Sequence, residues 1–252
     1  MDSGLRRDDD SSKPGSPGSM MRVASYNIRK AIGIDRRRKP ERIIEVLAEI
    51  GADVIALQEA DRRFGARVSA LPMHLLKDNG LYRPIPFSTH NLGIGWHGNA
   101  LLVKKNVEIL DCAALHIPSI EPRGAVTADL RIDGIDIRIV GFHLDLSGLW
   151  RRRQSGAILH HIAIQPRRLP TILMGDTNEW SQGGCLRDFG LHHAIVPTGA
   201  SYHARMPVAR LDRIFVSGEL EVMDAGVHMS PTARVSSDHL PIWADLKSAT
   251  SK

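Results

Sequence analysis

The segment LMGDTNEW, residues 173 to 180, runs an apolar stretch into Gly175 and then presents Asp176 and Asn178. On an extended chain, residues two apart point to the same side. A carboxylate and a carboxamide directed together can orient a water and bind a phosphoryl oxygen without adding a second negative charge beside it. An isolated Asp-x-Asn more often closes a loop as an Asx turn, so its meaning depends on its companions. In VSSDHLPIWADL, residues 235 to 246, Asp238 and His239 precede a proline and an apolar run. Asp is a hard oxygen ligand suited to magnesium, and His transfers protons or stabilises developing charge near neutral pH. In ARLDRIFVS, Asp212 interrupts an apolar pattern, and a buried carboxylate needs a cationic or hydrogen-bonding partner. His239 is one candidate, because an acid behind an imidazole fixes its tautomer and stabilises the imidazolium. A salt bridge to Arg213 or Arg210 is the alternative.

Three further residues fall at the ends of apolar runs: Asn27 in ASYNIRK, Glu59 in IALQEAD and His143 in RIVGFHLDL. Glu59 supplies a second oxygen ligand for a cation, and Asn27 can hold that cation's water shell or a phosphate oxygen. A lone His143 is more often structural; beside the others it becomes a second imidazole able to protonate a leaving oxygen or stabilise charge on a phosphate. Arg123, in EPRGAV, is placed either to grip a phosphate bidentately or to form a surface ion pair.

The elements that position these residues follow from periodicity. MRVASYNI, from Met21, alternates as a strand. Pro40 then opens a helix with Ile43, Ile44, Leu47 and Ala48 on one face, and Gly51 stops it. Asp53 to Gln58 reads as a buried strand that leaves Glu59 at its tip. Further strands are expected at Asn99 to Lys104, Ala125 to Ile132, Ile135 to His143, Thr171 to Met174, Leu211 to Val216 and Ile242 to Leu246, with Asp133-Gly134 as a hairpin signal. A second helix is expected from about Leu149 to Ile164, ended by Pro166. Strand pairs mixed with a few helices point to an α+β fold, two packed sheets with helices outside.

The chain has 252 residues, 42% hydrophobic and 24% charged, and suits one soluble domain. No apolar run approaches the roughly 18 residues that a membrane span requires. Cys112 and Cys185 form no zinc or disulfide pattern. Residues 1 to 20, MDSGLRRDDDSSKPGSPGSM, hold no apolar secretory core and too little apolar surface to order, so a disordered tail, a domain at 21 to 252 and a cytoplasmic location are expected. Net charge is +5; the first twenty residues carry three basic against four acidic side chains, which leaves +6 on the body. The basic runs Arg36 to Lys39, Arg62 and Arg63, Arg151 to Arg153, and Arg167 and Arg168 either attract a polyanion or are solvated loop and helix ends.

The ordered set YN, QE, FHLD, GDTN, LDRIFVS and SDHLP resembles the endonuclease/exonuclease/phosphatase superfamily, which includes deoxyribonuclease I, apurinic endonucleases, neutral sphingomyelinases and inositol polyphosphate 5-phosphatases. The resemblance covers about residues 21 to 247. It implies a four-layered αββα sandwich, two mixed β-sheets face to face with outer helices, and one metal-containing cleft. By motif match, Asn27, Glu59 and Asp238 would surround the metal, Mg2+ or alternatively Mn2+. Asp176 would orient or deprotonate the attacking water, Asn178 would hold phosphate and water, and Asp212 would support His239. His143 resembles the histidine of the deoxyribonuclease and sphingomyelinase members. Apurinic endonucleases lack this His-Leu-Asp pattern, which argues against a dedicated abasic-site enzyme. Asn99, in HGNALLV, stands where some relatives place an acid behind the first histidine.

The reading that follows is a metal-dependent phosphoester hydrolase working by in-line water attack, without a covalent intermediate. The basic body favours a nucleic-acid substrate. A phospholipid or sphingomyelin-type head group is the second choice and an inositol phosphate the third, because LDRIF departs from the 5-phosphatase pattern. The expected partner is thus a phosphoester, with no stable membrane insertion and a monomeric state. The rival from another class is a catalytically silent domain that binds nucleic acid or protein, which would have lost one of the eight positions. Deletion of residues 1 to 20 is expected to leave melting temperature and activity nearly unchanged; a large loss in either assay would show that the tail docks on the body.

Overall fold

A computed structural model describes residues 20–61, 68–87, 93–119 and 123–249. The Ser/Gly/Pro/Asp-rich stretch 1–19 and the Arg62-Arg63 pair lie outside the described residues. The elements in chain order are β1 (Met20–Asn27), α1 (Pro40–Ile50), β2 (Val54–Gln58), α2 (Met73–Asn79), β3 (Tyr82–Pro84), β4 (Ala100–Lys104), β5 (Glu108–Leu115), β6 (Ala125–Ile132), β7 (Ile135–His143), α3 (Gly148–Ala163), β8 (Thr171–Asp176), α4 (Cys185–Gly190), β9 (Ala194–Ile195), β10 (Asp212–Val216), β11 (Leu220–Val227), α5 (Ala233–Ser236) and β12 (Ile242–Ser248). The first strand therefore starts at Met20, one residue before the boundary drawn from composition.

Two six-stranded sheets form, in the orders β11-β12-β1-β2-β4-β3 and β5-β6-β7-β8-β10-β9. At the centre of each lies one parallel pair, β1 with β2 and β7 with β8, and every other pairing is antiparallel. Parallel neighbours need a crossover. Helix α1 supplies it in the first sheet and α3 in the second. Pro40 stands at the start of α1, and Gly51, at φ 61°, closes it by donating its N–H to the Leu47 carbonyl. Burial of Ile43, Ile44, Val46, Leu47 and Ile50 fixes this helix to the sheet, at about 1.5–3 kcal/mol for each side chain.

Period-two alternation sorts every central strand between two cores. Met21, Val23, Val54, Ile139, Ile172, Met174 and Ile214 fill the space between the sheets. Ala24, Tyr26, Ile55 and Leu57 pack instead on α1 and α2. Val140, Phe142, Leu173 and Phe215 pack towards α3 and α4, where they meet Ile158 and Phe189. The result is the four-layered αββα sandwich. The Cys185 thiol lies in this last core and is pushed up to about 12 by burial and by the Glu179 carboxylate, so it is a packing residue.

The Arg151 to Arg153 run divides. Arg152 and Arg153 face solvent, but Arg151 is buried. Its Nε donates to Glu179 at 3.1 Å and its NH1 to the Leu146 carbonyl at 2.6 Å. It joins α3 to the loops that follow β7 and β8, and this internal pairing removes it from any polyanion-tracking surface. Among the described residues no helix is long and apolar enough to cross a membrane.

Gly175 sits opposite Phe142 in the β7/β8 pair. A Cβ there would stand 1.9 Å from the Phe142 carbonyl oxygen and 2.8 Å from its ring. Gly175→Ala is expected to cost about 3 kcal/mol, the upper end for an overpacked core, read by chemical denaturation. An unchanged midpoint would show that β7 yields without penalty.

Candidate active site

The face of each sheet that packs in the central core turns polar at one end. On β1, Met21 and Val23 are followed on the same face by Ser25 and Asn27; on β7, Ile137 and Ile139 are followed by Gly141 and His143. On β8, Ile172 and Met174 lead to Asp176. Strand β10 runs antiparallel to β8, with Asp212 opposite Asp176, so its first residue arrives at the same end. The segment before β12 returns beside the end of β1 in the same way, carrying Asp238 and His239.

Asp176 is the hub. It is 1% exposed. Its Oδ2 accepts a hydrogen bond from Asn27 Nδ2 at 3.0 Å and lies 3.4 Å from His143 Nε2 and 3.8 Å from His239 Nε2. Its Oδ1 accepts from the Asn178 N–H at 2.9 Å. The Asn178 Nδ2 donates at 2.9 Å to the Leu144 carbonyl, which also accepts from Arg123 NH1 at 2.9 Å. Asn178 thus braces Asp176, and its amide nitrogen, which gives one hydrogen to Leu144, keeps a second to offer a phosphate oxygen. Arg123, buried, stands behind the β7 end. Asn99 Nδ2 holds the Gly124 carbonyl at 2.9 Å, and the His143 N–H reaches the same carbonyl at 3.4 Å. Asn99 therefore acts on the His143 backbone.

His239 Nδ1 and Asp212 Oδ2 are 2.8 Å apart, and Ser201 Oγ donates to the same oxygen. Among the described residues the Arg213 guanidinium meets Asp212 at its main-chain carbonyl, at 3.4 Å, and not at its carboxylate. Burial disfavours a charged imidazole, but the charge and hydrogen bond of Asp212, followed by the charges of Asp176 and Asp238, outweigh it and push His239 up to about 10. In the metal-free site these carboxylates favour the imidazolium form of His239 at neutral pH. Tyr202 packs on its ring, centroids 4.9 Å apart, and Trp180 meets Tyr202 edge-on at 6.0 Å.

The two outer carboxylates each carry a monovalent counter-ion. Lys30 Nζ lies 2.5 Å from Glu59 Oε2, and Arg29 Nε lies 3.4 Å from Asp238 Oδ2. Arg29, Lys30 and Ala31 all have positive φ, at 47°, 56° and 59°, as do Glu59 at 54° and Asn178 at 49°. Such backbone is costly for residues with a Cβ and persists where the surroundings impose it. Here the Arg29 N–H donates to Asn27 Oδ1 and the Lys30 N–H to the Glu59 carbonyl, which ties the turn to the strand ends.

Two groups of ligand atoms are suited to a cation. Asp176, Asp212 and His239 offer atoms within 4.8 Å of one another. In that group the Asp212 Oδ2 and the His239 Nδ1 are committed to each other, which leaves Asp212 Oδ1, His239 Nε2 and the Asp176 carboxylate as the atoms facing a cation; Nε2 serves only when it carries no proton. Glu59 and Asp238, with side chains 23% and 20% exposed, keep partly accessible hard oxygens, and each follows a residue tied to Asn27: Gln58 by strand pairing and Ser237 by its hydroxyl. That donor chemistry fits magnesium or manganese.

Sequence reasoning missed Ser201, Ser237, Tyr202, Arg29 and Lys30. Ser237 Oγ donates to the Asn27 carbonyl at 2.7 Å and locks the β12 entry onto β1. The basic pair was readable within NIRK next to Asn27; the serines and Tyr202 lie in segments with no periodic signal.

The folded-state value for His239 lies above its ordinary 6.5. Its ionic contribution is therefore complete below about 6.5 and lost as pH rises through about 10. Without added metal, the melting-temperature gap between the wild type and Asp212→Asn is expected to narrow across that window. A gap constant from pH 6.5 to 10 would remove the imidazolium.

The geometry has relatives among solved structures. A D. rerio TDP2 complexed with single-strand DNA product is 19% identical, with a TM-score of 0.72 over 91% of this chain and 100% of that one. The human Nocturnin catalytic domain with bound sulfate is 22% identical, at 0.70 over 92% and 98%. A Bacteroides thetaiotaomicron mannosyl-6-phosphatase is 19% identical, at 0.69 over 90% and 99%. No curated protein sequence matches the chain significantly. At these identities the likeness is one of fold. A family model, however, matches residues 24–239, a span that contains every residue of the cleft from Asn27 to His239, and the chain belongs to the Endonuclease/Exonuclease/phosphatase family, whose members are phosphoester hydrolases.

Proposed function

We propose that this chain is a divalent-metal-dependent phosphodiesterase, with nucleic acid as the favoured substrate. The observation that carries the reading is the convergence of Asn27, His143 and His239 on Asp176 Oδ2. A carboxylate held by a neutral amide and facing two imidazoles is arranged to orient a water and take its proton as the water attacks phosphorus. The His239 imidazolium, backed by Asp212, supplies positive charge where the phosphoryl oxygens gain negative charge. It can also deliver a proton to the leaving oxygen. His143 lies on the same carboxylate and shares that load.

Glu59, Asp238 and Asn27 would hold the cation. When bound, Mg2+ or Mn2+ supplies Lewis-acid neutralisation of the scissile phosphate. Among the described residues the cluster holds no thiol, and its serine hydroxyls, Ser201 and Ser237, donate to Asp212 and to the Asn27 carbonyl, in keeping with direct attack by water. Two features support nucleic acid. Trp180, 68% exposed, stands edge-on to Tyr202 at the outer end of the His239-Tyr202-Trp180 ring cluster and offers a face on which a base can lie. The body is also basic.

Hydrolysis of bis(p-nitrophenyl) phosphate with Mg2+, abolished by chelator, is the expected result. Asp176→Asn should lower kcat by about 10²–10⁴-fold, the range for a general base. Glu59→Gln should shift magnesium activation to higher concentration while the fold survives, because a neutral amide replaces a charged ligand. An unchanged activation curve would remove Glu59 from the metal site, and hydrolysis that ignores chelator would overturn the metal dependence.

A further inference from the structure

Beside the catalytic cluster lies a cleft of about 380 Å³ lined by Arg29, Ile34, Arg36, His203 and Arg205. No carboxylate is among the described residues that line it. Arg29 forms the boundary with the catalytic centre, since its Nε rests 3.4 Å from Asp238 Oδ2. The opposite wall is anchored to the same centre. The Ala204 N–H donates to the Asp238 carbonyl at 2.7 Å, and His203 packs against Tyr202, whose ring lies on His239.

The chain between residues 29 and 36 is built to reach this place. The Ile34 N–H donates to the Val235 carbonyl at 3.2 Å, and a Cβ at Gly33 would stand 2.3 Å from that carbonyl oxygen. Only glycine allows such an approach to α5, the short helix whose end leads into Asp238. Arg36, at φ 61°, then turns into the cleft. The nearby acid, Asp35, is already engaged by Arg42 at 2.9 Å and by the Arg37 N–H at 3.0 Å. Among the described residues, neither Arg36 nor Arg205 has a carboxylate within ion-pair distance. Two guanidinium groups without an ion-pair partner, Arg36 and Arg205, line one concave surface with the His203 imidazole and with Arg29, which Asp238 compensates, beside the proposed phosphoesterase centre. Guanidinium groups match the oxygens of a phosphate in paired hydrogen bonds.

We propose that this cleft is a second phosphate subsite, which selects substrates bearing another phosphate next to the scissile one. The proposal rests on the phosphoesterase reading and names its substrate class. A polynucleotide backbone and a small polyphosphorylated ester both present that chemistry.

The test compares matched substrates in Mg2+. One pair is dithymidine monophosphate with and without a 5′-terminal phosphate; the other is a p-nitrophenyl phosphodiester of a sugar with and without a neighbouring phosphomonoester. The wild type is expected to prefer the form with the extra phosphate by about tenfold or more in kcat/KM, through KM, as charge-assisted hydrogen bonds allow. In Arg36→Ala/Arg205→Ala that preference should fall to near unity, whereas Arg36→Lys/Arg205→Lys, which keeps the charge without the fork, should retain part of it. A preference confined to the dinucleotide pair assigns the subsite to a nucleic-acid backbone, and one shared by the sugar pair assigns it to small polyphosphorylated esters. Equal kcat/KM within both pairs for the wild type overturns the subsite and leaves the phosphoesterase reading intact. Failure of the wild type to cleave any of these esters or bis(p-nitrophenyl) phosphate overturns the underlying reading instead.

Discussion

A hydrogen bond between Asn27 and Asp176 crosses from one sheet to the other at the polar end of the sandwich core, 3.0 Å from nitrogen to oxygen. Its importance comes from what it replaces. Below it the two sheets meet through apolar side chains that need no directional partner. At its level a carboxylate with almost no exposure must be compensated by groups from both sheets, because an isolated buried charge is prohibitively costly. Asn27 arrives from the first sheet and His143 from the second, and the segment before β12 brings His239. Each is useful only if the sheets keep their register, so the polar cluster and the core beneath it specify the same alignment.

The arrangement explains why much of the site was legible in the sequence. The period of two that fills the core also dictates that a polar residue one step beyond the last apolar one points into the inter-sheet space. Asn27, His143, Asp176 and Asp212 all obey it. Central strands, apolar on both faces, were legible for the same reason; β2, β6, β7, β8 and β10 are nearly continuous runs of buried residues. The strands β5 and β11 left no such mark, because one lies at the edge of each sheet and exposes much of its length. The short helices α2, α4 and α5 are held by packing, and too few turns exist for a periodic signal.

Within the site, what escaped reading was what depends on tertiary approach. Ser201 and Ser237 become meaningful only when their hydroxyls meet Asp212 and the Asn27 carbonyl. Arg151 shows the converse. In sequence it is one of three adjacent arginines. In the fold the helix turns it inwards, where Glu179 and the Leu146 carbonyl compensate its charge while its neighbours remain in water. Charge runs on a helix cannot be read as one surface, since successive residues are separated by about 100° around the axis.

The Arg151 contacts have a mechanical consequence. One guanidinium holds the chain just beyond His143 and the chain just beyond Asp176, so neither segment can lift away alone without stripping hydrogen bonds from a buried cation. The two segments constitute a single cooperative unit in the sense of native-state opening. A fluctuation that separates the imidazole from the carboxylate has to break these contacts as well, so the placement of His143 against Asp176 is braced by a side chain that comes from the outer helical layer.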